Sequence, residues 1–242
     1  MLRFVRRILM VIGAVLLLAG CSTEEGLRAQ GLLQRAEAAQ AQLTSSTFDG
    51  GMSFSFQGQT VAMQFRGATS KDGEWFSLRA SGMPGVGDMS MQMLLRGGRA
   101  WTNFGGGWQS SPAPAGVGSS NTLNAAAFQQ LAAYVKDVRV QEHQLVAGKL
   151  VTTIGGEIDT QSMLEAFTKL GPLAGADGLD LSKLGVDFGD IRALLAIDER
   201  TQLLSTALID FDIEAQGEKV ELELRYRLTS VDEPVALPSP PG

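Results

Sequence analysis

Residues 219–229 read KVELELRYRLT, an unbroken alternation of apolar side chains with polar or charged ones. A period of two is typical of a β-strand with one buried face, because successive side chains in a strand point to opposite sides. The segment 203–214, LLSTALIDFDIE, repeats the pattern. Its apolar side carries Ala207, Ile209, Phe211 and Ile213. The two segments predict an antiparallel pair with one dry and one wet face.

The rest of the chain consists largely of further short alternating runs, punctuated by many of its 29 glycines. Such runs, bounded by turn residues, predict hairpins. The predicted strands cover residues 48–56, 61–65, 75–80, 88–96, 99–103, 138–146, 150–158 and 191–198. Apolar residues at helical spacing predict helices over 27–43, 124–135 and 162–170. The fold class is therefore α+β. Residues 110–120, rich in Pro, Gly and Ser, are expected to break the sheet, and 173–189 are compatible with a mobile flap or with two short helices.

The amino terminus has the anatomy of an export signal. Arg3, Arg6 and Arg7 precede an apolar run over residues 8–19 that is too short to span a bilayer. The run ends in Leu18-Ala19-Gly20-Cys21, which resembles a bacterial lipobox at every position. That resemblance implies attachment of diacylglycerol to the Cys21 thiol, cleavage before Cys21 and stable anchoring by the acyl chains.

The predicted organisation follows from this signal. Residues 1–20 are a signal peptide that is removed, and residues 21–26 are a lipidated tether. Residues 27–231 form a single domain, and residues 232–242 are a proline-rich tail expected to be extended. Because the only cysteine carries the lipid, packing without disulfides must hold the domain together.

Charge limits the partners. The formal net charge of the 242 residues is −6, and three of the positive charges lie in the signal segment that is expected to be removed. An acidic chain of this kind is a poor partner for nucleic acid, and it gains little from attraction to anionic lipids. We therefore expect no nucleic-acid partner, and contact with the membrane through the anchor at Cys21.

Little of the sequence resembles catalytic machinery, so we expect no enzyme, no cofactor and no metal. The only histidine, His143, lies in a predicted strand and is expected to be exposed, and a catalytic role would require a carboxylate beside it in a cleft. The chain contains no nucleophile elbow, P-loop or zinc-protease motif. Alternate spacing on a wet strand face explains the largest carboxylate cluster without a metal. The clustered carboxylates are Asp187 with Asp190, Asp198 with Glu199, and Asp210 with Asp212 and Glu214.

The distinctive feature is a soft apolar content of nine methionines and eleven phenylalanines. Methionine is unbranched and polarizable, so it suits adaptable apolar surfaces as well as core filling. If the first sheet strands and the covering helices enclose a cavity, strand parity selects four candidate ligand-binding residues. They are Phe54, Met63, Met91 and Phe211.

The order of features resembles that of the actinobacterial envelope lipoproteins of the LppX/LprG type, within the wider group of LolA/LolB-like carriers. The resemblance rests on the lipobox, the helix with its Thr44-Ser45-Ser46-Thr47 exit, the RAWTN strand at 99–103 and the DERT turn at 198–201. It also rests on the closing EPVALP at 233–238. The resemblance implies a curved antiparallel sheet, an open half-barrel whose concave face is covered by helices around a cavity for acyl chains.

The function that this resemblance implies is that of a lipid-anchored protein on the outer, extracytoplasmic side of the cell membrane. There it would bind or carry a lipid, a lipoglycan or another acylated ligand. The alternative is an envelope protein-binding module, a sensor or assembly factor, that holds no lipid because its own side chains fill the cavity.

Overall fold

The computed structural model describes residues 24–56, 59–82, 87–113, 135–146, 149–159, 186–215 and 218–239. They form one helix, α1 (Glu24–Gln40), and one sheet. The strands of the sheet are β1 (Ser45–Phe56), β2 (Gln59–Ser70), β3 (Gly73–Ser81), β4 (Met89–Arg96), β5 (Arg99–Asn103), β6 (Trp108–Pro112), β7 (Val135–Val146), β8 (Lys149–Ile158), β9 (Val186–Asp198), β10 (Leu204–Ala215) and β11 (Glu218–Val231).

The sheet consists of two antiparallel meanders that meet at its centre. Its strand order is β6-β5-β4-β3-β2-β1-β11-β10-β9-β8-β7, so β1 to β6 run outward in one direction and β11 to β7 in the other. The first and last strands pair with each other, from Ser46 opposite Val231 to Ser55 opposite Glu221. The sheet is open, with β6 and β7 at its edges.

The predicted pairing of the last two strands is confirmed. In β10 and β11 the apolar residues face one another across the ladder: Ala207 with Tyr226, Ile209 with Leu224, Phe211 with Leu222, and Ile213 with Val220. The opposite face carries charged residues and ion pairs, of which Lys219 with Asp212 at 2.8 Å is one. A single register therefore separates a dry face from a wet one, because a slip of one residue would exchange the two sides.

Helix α1 packs on the dry face. Glu24 and Glu25 lie in its first turn, where negative charge complements the helix dipole. Ala29, Leu32 and Ala36 fall on one stripe at spacings of three and four residues and are buried. This stripe joins a core cluster with side chains of β8, β9 and β10, and the helix contacts β7 and β10. The helix therefore lies over the half of the sheet formed by the second meander.

Several predicted boundaries differ from the structure. The helix begins at Glu24, so the last three residues of the predicted tether are helical. The chain stays in the sheet through Pro112, because β6 is an edge strand and an edge strand tolerates proline. Strand β7 begins at Val135, which the sequence placed at the end of a helix. Strand β9 begins at Val186, inside the segment 173–189 whose structure the sequence left open.

The described residues test only part of the prediction that helices cover the concave face of the sheet. An open antiparallel sheet and the first helix are confirmed. Residues 124–134 and 162–170, the other two predicted helices, lie outside the described residues.

The start of the predicted tail is attached to β1. The Asp232 carboxylate accepts hydrogen bonds from the backbone N–H and the hydroxyl of Thr44, both at 2.9 Å. The Asp232 N–H donates to the Ser45 carbonyl at 2.9 Å, and the Ser45 hydroxyl donates to the Glu233 carbonyl at 2.7 Å. The pKa of Asp232 is lowered because the Thr44 N–H and then the Thr44 hydroxyl donate to its charged form.

Candidate functional site

One row of side chains crosses nine strands on the dry face. Directly opposed residues of antiparallel neighbours share a face, so the register can be followed from strand to strand. The row consists of Met91, Leu78, Phe65, Gly50, Tyr226, Ala207, Leu195, Ile154 and Val140. Only Gly50 lacks an apolar side chain, and the dry face is therefore continuous from β4 to β7.

The two halves of this face differ in burial. Tyr226, Leu195 and Ile154 are almost completely buried in the half beneath α1. Phe65, Leu78 and Met91, in the first meander, are only partly buried, although the smaller or flanking Val61, Ala80 and Leu95 of the same face are buried. This half is also rich in methionine, with Met52, Met63, Met91 and Met93 at positions of the same face. Along the dry face, a densely packed core beneath α1 thus gives way to an apolar surface whose flexible methionine side chains are only partly buried.

All four residues predicted to line a cavity lie on this dry face. Phe54 and Phe211 stand on either side of Leu222, to which both are paired. Met63 faces Met52, and Met91 faces Leu78. Each of the four side chains is partly buried, and Phe211 packs against the core cluster. Their contact with a ligand remains a prediction.

Two glycines allow aromatic rings to pack closely at the centre of the face. A Cβ at Gly50 would overlap the ring of Phe65, and a Cβ at Gly67 would overlap the ring of Phe48. Glycine in a strand interior commonly marks such a close approach. The ring centroids lie 6.4 Å apart for Phe48 and Phe65 and 5.7 Å apart for Phe48 and Tyr226. Burial raises the pKa of the Tyr226 hydroxyl well above its usual value.

The wet face contains an arginine-lined hollow of about 870 Å³ over β1, β2, β3, β10 and β11. Its basic side chains are Arg66, Arg79, Arg225 and Arg227. Asp49 accepts two hydrogen bonds from Arg227, at 2.7 and 3.0 Å, and the Arg66 guanidinium lies 5.3 Å from the centre of the Trp75 ring. None of the four predicted ligand-binding residues borders this hollow. The sequence signal that could have located it is Gly51, whose missing side chain leaves the wet face of β1 bare there.

His143 lies beside a carboxylate, which meets one part of the condition, a carboxylate within a cleft, under which the sequence allowed a catalytic role. Its Nδ1 is 2.8 Å from Glu199 Oε1 and 2.9 Å from the Thr152 hydroxyl. The Thr152 hydroxyl also donates to Glu199. A nucleophile relay requires the hydroxyl on one ring nitrogen and the carboxylate on the other, whereas both partners here share Nδ1. The cluster is therefore a local hydrogen-bond network that does not activate Thr152.

Glu199 and Asp198 hold the turn that follows β9. Hydrogen bonds from Thr152 and then from His143 lower the pKa of Glu199. Burial would raise the pKa of Asp198, but backbone N–H groups of Thr201 and Arg200 donate to its carboxylate and together lower it. Sequence reasoning missed this pairing of Glu199 with Thr152 and His143, because the three residues meet only through strand register.

Within the described ranges, no three His, Cys, Asp or Glu side chains converge in a way that could hold a metal ion. Those same ranges contain no helix that is both long and apolar enough to cross a membrane.

Residues 6–22 match the model of the prokaryotic membrane lipoprotein lipid attachment site. The match contains Cys21 and implies a lipoprotein anchored to a membrane. No curated protein matches the chain.

Among solved structures, the chain matches LprF from Mycobacterium bovis with a TM-score of 0.51 and 16% identity, over 89% of this chain and 98% of LprF. The fold is similar to that of LprF. The Mycobacterium tuberculosis lipoprotein LppX matches with a TM-score of 0.49 and 13% identity, over 86% of this chain and 97% of LppX. A LolA superfamily protein from Nitrosomonas europaea matches with a TM-score of 0.30 and 8% identity, over 85% and 94% of the two chains. The similarity to LprF confirms, for the fold, the expected resemblance to actinobacterial lipoproteins.

Proposed function

We propose that this protein is an exported, membrane-anchored lipoprotein that binds or carries a lipid or another acylated ligand against its dry sheet face. The observation that carries the proposal is the gradation of that face. One half is a core beneath α1, and the other half has methionine and phenylalanine side chains that are only partly buried. Methionines and phenylalanines of this kind can repack around acyl chains of different shape.

The proposed mechanism is exchange without covalent chemistry. Moving an acyl chain from water onto the face gains about 0.8 kcal/mol per buried CH₂. Relative to the bilayer the gain nearly vanishes, because lipid tails are equally apolar, and this balance allows both uptake and release. On this account the protein is no enzyme, and it works on the extracytoplasmic side of the membrane to which Cys21 anchors it.

A paired set of variants tests the proposal with a fluorescent fatty acid titrated into a soluble form, residues 22–242. Met91→Asp and Phe54→Asp place a charge on the dry face and are expected to weaken binding at least tenfold, since a desolvated carboxylate costs more than ~1.4 kcal/mol. Ser90→Asp and Ser55→Asp are matched controls, because both serines are exposed on the wet side of the same strands. Equal binding by all four folded variants would contradict the proposal.

The arginine-lined hollow favours a second candidate function, an envelope protein-binding module. Four arginines border the hollow in a chain whose net charge is negative, and two of them, Arg225 and Arg227, form ion pairs with Glu223 and Asp49. This excess of positive charge around the hollow suits an acidic partner. A photo-crosslinking residue at Gln64, inside the hollow, would then capture one envelope protein in intact cells. The same probe with Arg79→Glu would lose that product. Capture of no discrete protein would remove this alternative.

A further inference from the structure

The exposed large apolar side chains of the described residues are concentrated at one end of the sheet. Four of the six lie there. We call them the tip patch: Leu27 of α1, exposed to 59%, and Leu145, Val146 and Leu150 of the β7–β8 hairpin, exposed to 72%, 47% and 48%. Contiguous exposed apolar groups commonly mark a contact surface, whereas scattered ones carry no such meaning.

Hydrogen bonds and register bring these residues to the same end. Leu145 and Leu150 are directly opposed in the β7–β8 ladder, so their Cβ atoms are about 5 Å apart. The Leu150 carbonyl accepts a hydrogen bond from the Glu199 N–H at 3.0 Å. Both leucines lie two residues beyond His143 and Thr152 toward the hairpin tip.

Helix α1 begins at this same end. It contacts β7, and Arg35 donates to the Gln202 side chain in the β9–β10 turn at 3.0 Å. The helix ends at Gln40, and the chain then enters β1 at Ser45 in the centre of the sheet. The contacts of the helix with the edge strand β7 therefore come from its earlier turns, which contain Leu27.

The lipid attachment residue is close to the same end by covalent geometry. Three peptide units separate Cys21 from Glu24, and three units span at most ~11 Å. The acyl chains on Cys21 therefore enter the bilayer near the tip patch, not at the far end of the sheet. This continuity with the anchor identifies the occupant as a lipid bilayer.

We propose that the tip patch is a membrane-contact surface, which lies against the bilayer that holds the Cys21 anchor and sets the orientation of the sheet on it. Apolar side chains inserted at the headgroup boundary add to an acyl anchor and restrict how the domain tumbles about its tether. The proposal is independent of lipid carriage, because it concerns orientation and not the dry face as a binding site.

Spin labelling tests the proposal on the full lipidated chain in mixed phosphatidylcholine and phosphatidylglycerol vesicles. The single native cysteine is alkylated by the anchor, so an introduced cysteine is the only free thiol. The probe position is Leu145→Cys, with Val146→Cys as a second variant should the first fail to fold. Phe104→Cys is the matched control, because Phe104 is 68% exposed in the β5–β6 turn at the opposite end of the sheet.

The expected result is a several-fold higher ratio of oxygen to nickel-chelate collisions at position 145 than at position 104, which is the signature of a label in lipid. The ratio should not change with salt, because the contact is apolar. Water-like ratios at both positions would overturn the proposal, as would lipid-like ratios at both. Protection of position 145 from both collision agents would overturn it too, because it would show burial against a protein surface.

Discussion

Gly50 and Gly67 act by the absence of a side chain. Each leaves room for an aromatic ring of a neighbouring strand, and the rings of Phe48, Phe65 and Tyr226 join the two meanders at the centre of the sheet. Aromatic pairs of this kind add about 0.5–1.5 kcal/mol beyond their buried area. The strand interior therefore tolerates two residues of low β-propensity.

Gly50→Ala is expected to destabilise the fold by about 1–3 kcal/mol, because the added Cβ would overlap both the Arg225 carbonyl oxygen and the Phe65 ring in a packed face. Gly51→Ala is the matched control. Its Cβ would meet only the Met63 carbonyl oxygen at 3.1 Å, which a small shift relieves. Urea denaturation of the two variants measures the difference, and equal midpoints would contradict the close packing assigned to Gly50.

Thr152 and Glu199 give the fold a dependence on acid pH. Because the folded-state pKa of Glu199 is lowered, its ionised form stabilises the fold above the unfolded pKa. That stabilisation is lost as the pH falls through the folded pKa. Thr152→Val removes the hydrogen bond that contributes most to the lowered pKa of Glu199. The pKa of Glu199 is therefore expected to rise toward its ordinary value, which NMR of the side-chain carboxyl would measure.

Thr153→Val is the control for that titration, since Thr153 lies on the other face of β8 and contacts Gln144. The pKa of Glu199 should be unchanged in this variant. A carboxyl that titrates identically in the wild type and in Thr152→Val would contradict the network.

At the residue scale, the sequence predicted which residues share a face and could not predict which of them meet. The side of a strand on which a residue lies depends only on its position within that strand. The alternating pattern alone therefore predicted that Phe54, Met63, Met91 and Phe211 lie on the dry face. The contact of His143 with Glu199 joins residues 56 positions apart. Only strand register, which long-range packing determines, brings that pair together.

Among the elements, the turn between β9 and β10 depends on one side chain. The buried Asp198 carboxylate accepts hydrogen bonds from the N–H groups of Arg200 and Thr201 at 2.9 and 3.0 Å, and the Asp198 N–H donates to the Leu203 carbonyl at 3.0 Å. The turn also contains Gln202 at a positive φ of 59°. A side-chain acceptor that satisfies two backbone donors stabilises such a conformation.

Asp198→Ala is expected to destabilise the fold by about 1–3 kcal/mol, because two part-buried N–H groups lose their acceptor. Asp210→Ala removes an exposed carboxylate from the wet face of the next strand and should change stability by less than about 0.5 kcal/mol. Thermal unfolding of the two variants provides the comparison. An Asp198 variant as stable as the Asp210 variant would refute the role of the turn.

At the element scale, strands with strict alternation were predicted well and boundaries at weak signals were not. Strands β10 and β11 have one dry and one wet side along their length, so propensity and burial agree. Strand β6 combines serines with a proline, and only its partner β5 makes it a strand. Strand propensity alone cannot predict such an edge strand, because its ladder hydrogen bonds are made with a neighbouring strand outside the segment.

In the molecule as a whole, the pairing of β1 with β11 unites two meanders that are each composed of local hairpins. The paired residues are far apart in sequence, as with Phe48 and Leu228. Periodicity cannot predict such a pairing, and the family resemblance supplied the open-sheet layout in its place. The pairing makes the dry face continuous, and this continuity is what an acyl ligand of several strand widths would require.

The measurement that tests the central claim most directly is native mass spectrometry of residues 22–242, expressed in a lipid-containing host and purified without detergent. We expect an adduct of lipid mass on the wild type and on Ser90→Asp, absent from a folded Met91→Asp variant and lost on organic extraction. An unliganded mass for every form, with no uptake of added phospholipid, would contradict lipid binding.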